Sequence, residues 1–383
     1  MIASAAPRAS GMSGLLLGAA GMFATMYASH AILPELATDF DVTPSQAGLT
    51  ISVVVLAVAL GGWLWGPFSE RVGRKRSLML ASGLLVLPSL GAAAAPTFAS
   101  LLVLRALQGA CMPGLLTVGV PYVAEVFAPG MGGRAMGYYT IALVGGGTLG
   151  RVGVGLMTSV TGWRIAFAAV ALLPLAGVVL MRRRLPEAPV PERSAGPRSA
   201  VATQLANPAV LVPAIAAAAL FFTFVGVFSY ASFRLRQAPF GFSSAATSLV
   251  FSFWVLGTIG PSAGRLTDRI GWRRVTLTGI CTAAAGVALT LPAWPPTMLL
   301  GLAVMTLGMF TGVTAAQLGL AAAGPADRGI ASAIYFSFYY GAGALAGFFP
   351  GLGWEAWGWP GVIAITAPAL AVGTGALVRH TRV

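Results

Sequence analysis

Two arginines stand inside long apolar runs, Arg105 in the stretch 98–122 and Arg151 in 135–160. A charge in such a place is costly, so it is held there for work: meeting an anion, handling a proton or organising polar groups on neighbouring helices. Arg105, Gln108 and Met112 recur at i, i+3 and i+7, which places them on one helical face. Two readings of Arg105 stand open, a working cation or one neutralised by helix carbonyls. Arg151 sits within the glycine-rich stretch 145–155 and is equally open between an interior and a structural role. His30, in the first apolar run, is the remaining titratable candidate, either a proton carrier or a packed, hydrogen-bonded histidine. The acids Glu35, Asp39 and Glu125 fall at the ends of apolar runs. Covalent catalysis has little to work with, because the two histidines, one of them in the tail, form no cluster with a nucleophile, base or metal ligand. No phosphate-binding glycine loop is present. Cys111 and Cys281 each lie in an apolar run without ligand-like neighbours, so they are read as packing residues, with no disulfide and no metal.

The elements that must position these residues follow from composition. Over 383 residues the chain is 57% hydrophobic and 9% charged, too little charge to cover a soluble globule. That predicts an all-α integral membrane protein. Fifty glycines would weaken soluble helices but let membrane helices approach closely. The net charge of +13 raises nucleic acid as a partner, yet the bases occupy short connectors and form no stripe, so no nucleic acid is expected.

A spanning helix needs about 20 apolar residues, and twelve segments qualify. The first six cover about 11–33, 46–67, 77–95, 98–122, 135–160 and 164–181. The first is taken as an uncleaved helix and not a signal sequence. The connector 34–45, with Glu35, Asp39 and Asp41 and no base, reads as an outside loop. Segments seven to twelve begin near Ala209, Ala245, Val275, Met298, Gly329 and Pro360. Between the sets lies a stretch rich in Pro, Arg and Ser that reads as a solvated linker. The domains expected are therefore an N-terminal six-helix bundle over 1–181, a linker over 182–208 and a C-terminal bundle over 209–383. With both termini in the cytoplasm, Arg8, Arg134, Arg182, Arg183, Arg184, Arg193, Arg198, Arg265, Arg328, Arg379, Arg382 and the bases of the two loops described next fall inside. Only Arg164, Arg234 and Arg236 fall outside, the asymmetry of the positive-inside rule.

Residues 66–76, Gly-Pro-Phe-Ser-Glu-Arg-Val-Gly-Arg-Lys-Arg, join the second and third segments. Residues 264–274, Gly-Arg-Leu-Thr-Asp-Arg-Ile-Gly-Trp-Arg-Arg, repeat them 198 positions later. Gly66 matches Gly264, Glu70 matches Asp268, Arg71 matches Arg269 and Gly73 matches Gly271, while Lys75 and Arg76 match Arg273 and Arg274. A second repeat, at an offset of 196, sets Gly147, Leu149, Gly162 and Trp163 against Gly343, Leu345, Gly358 and Trp359. The repeated loop resembles the signature loop of the major facilitator superfamily, and the glycine-lined stretch that bears Arg151 resembles its branch of bacterial twelve-helix efflux permeases. Glu70 stands where that family more often has Asp.

The resemblance implies twelve transmembrane helices in two parallel, pseudo-symmetric halves that rock around a midplane site. It implies that Gly66, Glu70, Arg71, Gly73, Arg74, Lys75, Arg76, Glu125, Gly264, Asp268, Arg269 and Gly271 gate the inner side, with Glu125 a latch partner for Arg71 or Arg74. Arg105 begins Arg-Ala-Leu-Gln-Gly, which is similar to the family's helix 4 motif, linked to proton coupling. The Gly-Pro signature of drug antiporters is missing from helix 5. Segments 1, 4, 7 and 10 are implied to line the cavity, with Phe23, Tyr27 and His30 on one face of the first, Phe221, Phe224 and Phe228 on the seventh, and Met305, Met309 and Gln317 on the tenth. For each of these, core packing is the competing reading.

The expected function is secondary active transport of a small organic solute by alternating access, as proton-coupled efflux of a drug-like or metabolic compound. The alternatives are a uniporter or importer of a small organic anion and a non-transporting membrane sensor. The expected partners are a small-molecule substrate and the lipid bilayer, with the chain acting as a monomer in a bacterial-type inner membrane. No cofactor is expected beyond the proton as coupling ion.

Overall fold

The computed structural model describes residues 9–127, 131, 133–188, 201–320 and 328–379, and within them every regular element is helical. The twelve apolar segments become twelve rods. They are α1 Gly11–Asp39, α2 Pro44–Val72, α3 Arg74–Ala93, α4 Phe98–Val126, α5 Gly133–Thr161 and α6 Trp163–Arg184. α7 is Pro208–Arg236, and α8 is the pair Ser244–Ile259 and Ser262–Ile270, bent by 43°. α9 Trp272–Leu289, α10 Pro295–Gly319, α11 Arg328–Trp357 and α12 Trp359–Arg379 complete the set. Among the described residues nine helices are long and apolar enough to cross a membrane, or ten with the bent α8 counted as one. α9, opening on Arg273 and Arg274, and α11 bring the rods to twelve.

Several boundaries move from the sequence expectation. The stretch 34–45 is not simply a loop, because Leu33–Asp39 is helical and carries Glu35 in its first turn, where a carboxylate favours the helix dipole. Only residues 40–43 remain between α1 and α2. Within the expected linker, Arg182–Arg184 continue α6, and Val201–Leu205 form a short helix. Arg193 and Arg198, with Arg8 and Arg382, lie outside the described residues.

The signature connector is also shorter than its motif. α2 runs through Gly66, Glu70 and Arg71 to Val72, so the whole turn is made by Gly73, at φ +93°. Its repeat behaves alike, with Gly271 at φ +85° joining α8 to α9. Each glycine donates its N–H to the carbonyl four residues back, Gly73 to Ser69 at 3.0 Å and Gly271 to Thr267 at 2.9 Å, and the backbone reverses in the left-handed region. Gly162 and Gly358, matched by the second sequence repeat, make the same single-residue joint after α5 and α11.

By contact, Met1–Ser29 with Leu60–Ser194 form one compact unit, and His30–Ala59 with Ala195–Val383 form another. In the first, small residues set the helix spacing. A side chain on Gly146 or Gly150 of α5 would run into the backbone of Ala20 or Ala24 of α1, and one on Gly21 would meet Pro174 of α6. Such close approach is how membrane helices gain packing energy where burial from water drives little. In the second, α9 and α10 meet through Gly279, Gly286, Gly301 and Gly308, each against backbone of the other helix. The first part of α2 is also seated in this unit: Gly48 lies on the Gly347 carbonyl of α11, and the Ser45 N–H donates to Glu355 Oε1 at 2.9 Å.

Candidate functional site

In the first unit, α1 ends its regular turns at Tyr27, which leaves its last carbonyls short of helical donors. Arg105 fills that need. From α4 its Nη1 donates to the Thr25 carbonyl at 2.7 Å and to Gln108 Oε1 at 2.8 Å, while Nη2 donates to the Met26 carbonyl at 3.0 Å. Gln108 Nε2 in turn donates to Ser89 Oγ of α3 at 3.1 Å. Arg105 is fully buried, and this network binds α1, α3 and α4 at one level. These bonds are those of a helix-end clamp. They also change the expected face of α1, because Phe23 and Tyr27 keep an edge-to-face contact at 5.6 Å while His30 lies past the break, in a 3-10 turn of the second unit.

Arg151 is placed by a local fault in α5. Leu149–Gly153 form a π-turn between two α-helical pieces, a widened turn common at functional positions. Gly146 and Gly150 on its inner face admit α1, and the arginine emerges beside them. Its guanidinium carbon lies 3.5 Å from the centroid of the Tyr27 ring, and Nη1 donates to the Gly147 carbonyl at 2.9 Å. Both side chains are buried. A cation held on the face of a phenol in low dielectric attracts any anionic or strongly dipolar group that reaches it.

At the other end of this unit, Arg74 Nη2 pairs with Glu125 Oε1 at 2.7 Å, choosing Arg74 over Arg71. Lys75 Nζ pairs with Glu187 Oε1 at 2.9 Å, and the Tyr122 hydroxyl donates to the Pro186 carbonyl at 2.5 Å. Glu70, Arg71 and Arg76 are exposed, as are Asp268 and Arg269 of the repeat. Pairs this open to solvent contribute about 0.2–1 kcal/mol each.

The second unit holds an aromatic cluster on α7, α8 and α10. Phe224 and Phe228 are buried with centroids 4.8 Å apart; Trp254 stands 4.7 Å from Phe224, and Phe251 5.5 Å from Phe228. Phe310 of α10 closes the group at 5.7 Å from Trp254. The sequence pointed to Phe224 and Phe228 but not to Trp254, Phe251 or Phe310, although the i, i+3 spacing of 251 and 254 carried the signal. Phe221 instead stacks on Tyr339 at 3.9 Å, and Met305 and Met309 are buried. Gln317 is exposed near the end of α10. His30 is buried, and its turn, His30–Ile32, packs against α7 and the first part of α8.

Close by in the chain, Glu35 makes a contact that single-residue reading missed. Its Oε1 accepts from Arg236 Nη2 and from Ser244 Oγ, both at 2.6 Å, so one carboxylate oxygen ties the end of α1 to the end of α7 and the start of α8. Each ionic partner is about one-fifth exposed.

The comparisons with known proteins agree with this architecture. The family model described as Major Facilitator Superfamily matches residues 15–347. The MFS-type transporter YybF of Bacillus subtilis (strain 168) is 30% identical over 377 residues, covering 94% of this chain and 91% of that protein. The inner membrane transport protein YnfM of Escherichia coli (strain K12) is 30% identical over 379 residues, covering 96% and 89%. Among solved structures, the nucleoside transporter NupG superposes with a TM-score of 0.76 at 17% identity over 97% of this chain and 98% of that one. A D-xylose-proton symporter gives 0.75 at 19% identity, over 96% of each chain, so both share the fold. With a family model across most of its length and relatives aligned nearly end to end, this chain is a multi-pass membrane transporter and not an enzyme, and it belongs to the major facilitator superfamily.

Proposed function

We propose that this transporter exports a small organic solute in exchange for protons, working as a monomer in a bacterial-type inner membrane with both termini in the cytoplasm. The observation that carries the proton coupling is the Glu35 carboxylate, shared by Arg236 and Ser244 at 2.6 Å. That one charge holds Arg236, so neutralising it loosens the tie between α1, α7 and α8. The aromatic surfaces formed by Phe224, Phe228 and Trp254, and by Phe23 and Tyr27, suit a solute with flat apolar parts. Arg74 with Glu125 then serves as the inner latch and Gly73 as its pivot.

A second reading rests on a different observation. Arg151 on the face of Tyr27 favours a solute with an anionic group, carried by a uniporter or an importer. The two readings part in purified proteoliposomes loaded with a solute panel and given an imposed pH gradient. Export predicts net solute movement against its own gradient, driven by the proton gradient and abolished by an uncoupler. Glu35→Gln should lose that drive while keeping solute-for-solute exchange. Flux of anionic solutes alone, indifferent to the pH gradient and the uncoupler, would overturn the proton reading in favour of the second.

A further inference from the structure

We propose that α9 and α12 form a binding site for one anionic glycerophospholipid, with a tail lying between the helices and the phosphate at their arginine-bearing ends. The two helices run antiparallel. Trp359 at the start of α12 donates its indole N–H to Thr290 at the end of α9, at 3.2 Å, so the start of α9 and the end of α12 share the opposite end. Between them lies a groove of about 640 Å³. It exists because Ala284 of α9 and Ala371 and Gly375 of α12 are small where larger side chains would close it. Its wall is apolar, since the Thr374 hydroxyl is already committed to the Leu370 carbonyl at 2.9 Å within its own helix. Cys281, Ala284, Ala371 and Val378 are exposed along it, so it opens to the outside of the unit, where a bilayer supplies hydrocarbon.

Charge at one end selects among lipids. Arg273 lies seven and eleven residues before Ile280 and Ala284, which puts it on the helix face that lines the groove. Arg274 and Arg379 are exposed at the same end, and Arg379 directly follows the groove residue Val378. A basic cluster above an apolar interhelical groove complements a phosphate that carries net negative charge and its attached tail. A zwitterionic headgroup gains less from the same arginines. The site is independent of substrate and coupling ion.

The test is native mass spectrometry of the purified full chain with phosphatidylglycerol or phosphatidylcholine, alongside thermal unfolding. The expected result is a one-to-one phosphatidylglycerol adduct that raises Tm more than phosphatidylcholine does. The R273Q/R379Q variant should retain at least threefold less phosphatidylglycerol and the same phosphatidylcholine, and A371W should lose both. Should A371W fail to fold, a Cys111→Ala chain gives a second readout: phosphatidylglycerol should slow maleimide labelling of Cys281 more than phosphatidylcholine does. Equal retention of the two lipids, or unchanged phosphatidylglycerol retention in the double arginine variant, overturns the proposal. A dimer cross-linked through Cys281 would overturn it too, giving the groove to a second copy of the chain.

Discussion

The guanidinium of Arg151 stacks on the ring of Tyr27 at 3.5 Å, cation on α5 and aromatic on α1, with Gly146 and Gly150 allowing the two backbones to meet beside them. The contact joins a buried charge to a packing motif, so the two can be separated by mutation. Arg151→Ala should lower solute flux at least tenfold in proteoliposomes while Tm holds or rises, because removing a buried charge also removes its desolvation cost. Tyr27→Phe keeps the ring face and should retain most of the flux; Tyr27→Ala should not. A fall in Tm of many degrees for Arg151→Ala, with flux per folded molecule unchanged, would reduce Arg151 to a packing element.

The glycines beside it make a stability prediction. A methyl on Gly146 meets the Ala20 backbone, whereas one on Gly145 meets nothing within 4 Å. Gly146→Ala should therefore destabilise the protein by about 1–3 kcal/mol through overpacking. Gly145→Ala should be neutral or slightly stabilising by helix propensity. Thermal unfolding of the two variants in one detergent compares them directly, and equal Tm values would contradict the α1–α5 contact.

The inner ion pair can be tested by exchanging its charges. Arg74→Glu and Glu125→Arg should each depress transport, and the double exchange should restore a large part of it if the 2.7 Å pair is what matters. The coupling expected from a partly exposed pair is only about 0.2–1 kcal/mol, so the effect belongs in transport rates more than in Tm. A double variant no better than the worse single one counts against the latch.

The single-glycine joints at Gly73 and Gly271 separate space from backbone strain. Neither has any atom within 4 Å of where a Cβ would stand, yet their φ values are +93° and +85°. Gly73→Ala should cost about 1–3 kcal/mol through conformation alone, and Gly73→Asn less, because Asn tolerates the left-handed region better. Measured Tm values in the order Gly, Asn, Ala would support this. Equal losses for Asn and Ala would point to a steric cause instead.

Much of this was legible in one dimension. Most of the twelve rods follow from runs of apolar residues long enough to cross a bilayer, a property of local composition. The two glycine-centred joints follow from a motif that repeats 198 residues apart, and the identity of Gly73 and Gly271 already told where the backbone must turn. Arg105 and Arg151 were conspicuous because charge inside an apolar run has few cheap explanations. What each arginine does depended on partners far away in sequence. Arg105 meets the carbonyls of Thr25 and Met26, backbone groups that no residue pattern marks, and they are within its reach where α1 breaks at Tyr27. Glu35 and Arg236 are separated by 201 positions, and their pairing is set by where α1 and α7 end in space. The sequence by itself determined the number of the helices and the glycines that joint them, because these depend on neighbours within a turn or two. Only the tertiary structure decided which charges meet, which helix breaks and which small residues touch, because those depend on distances between segments that composition does not encode.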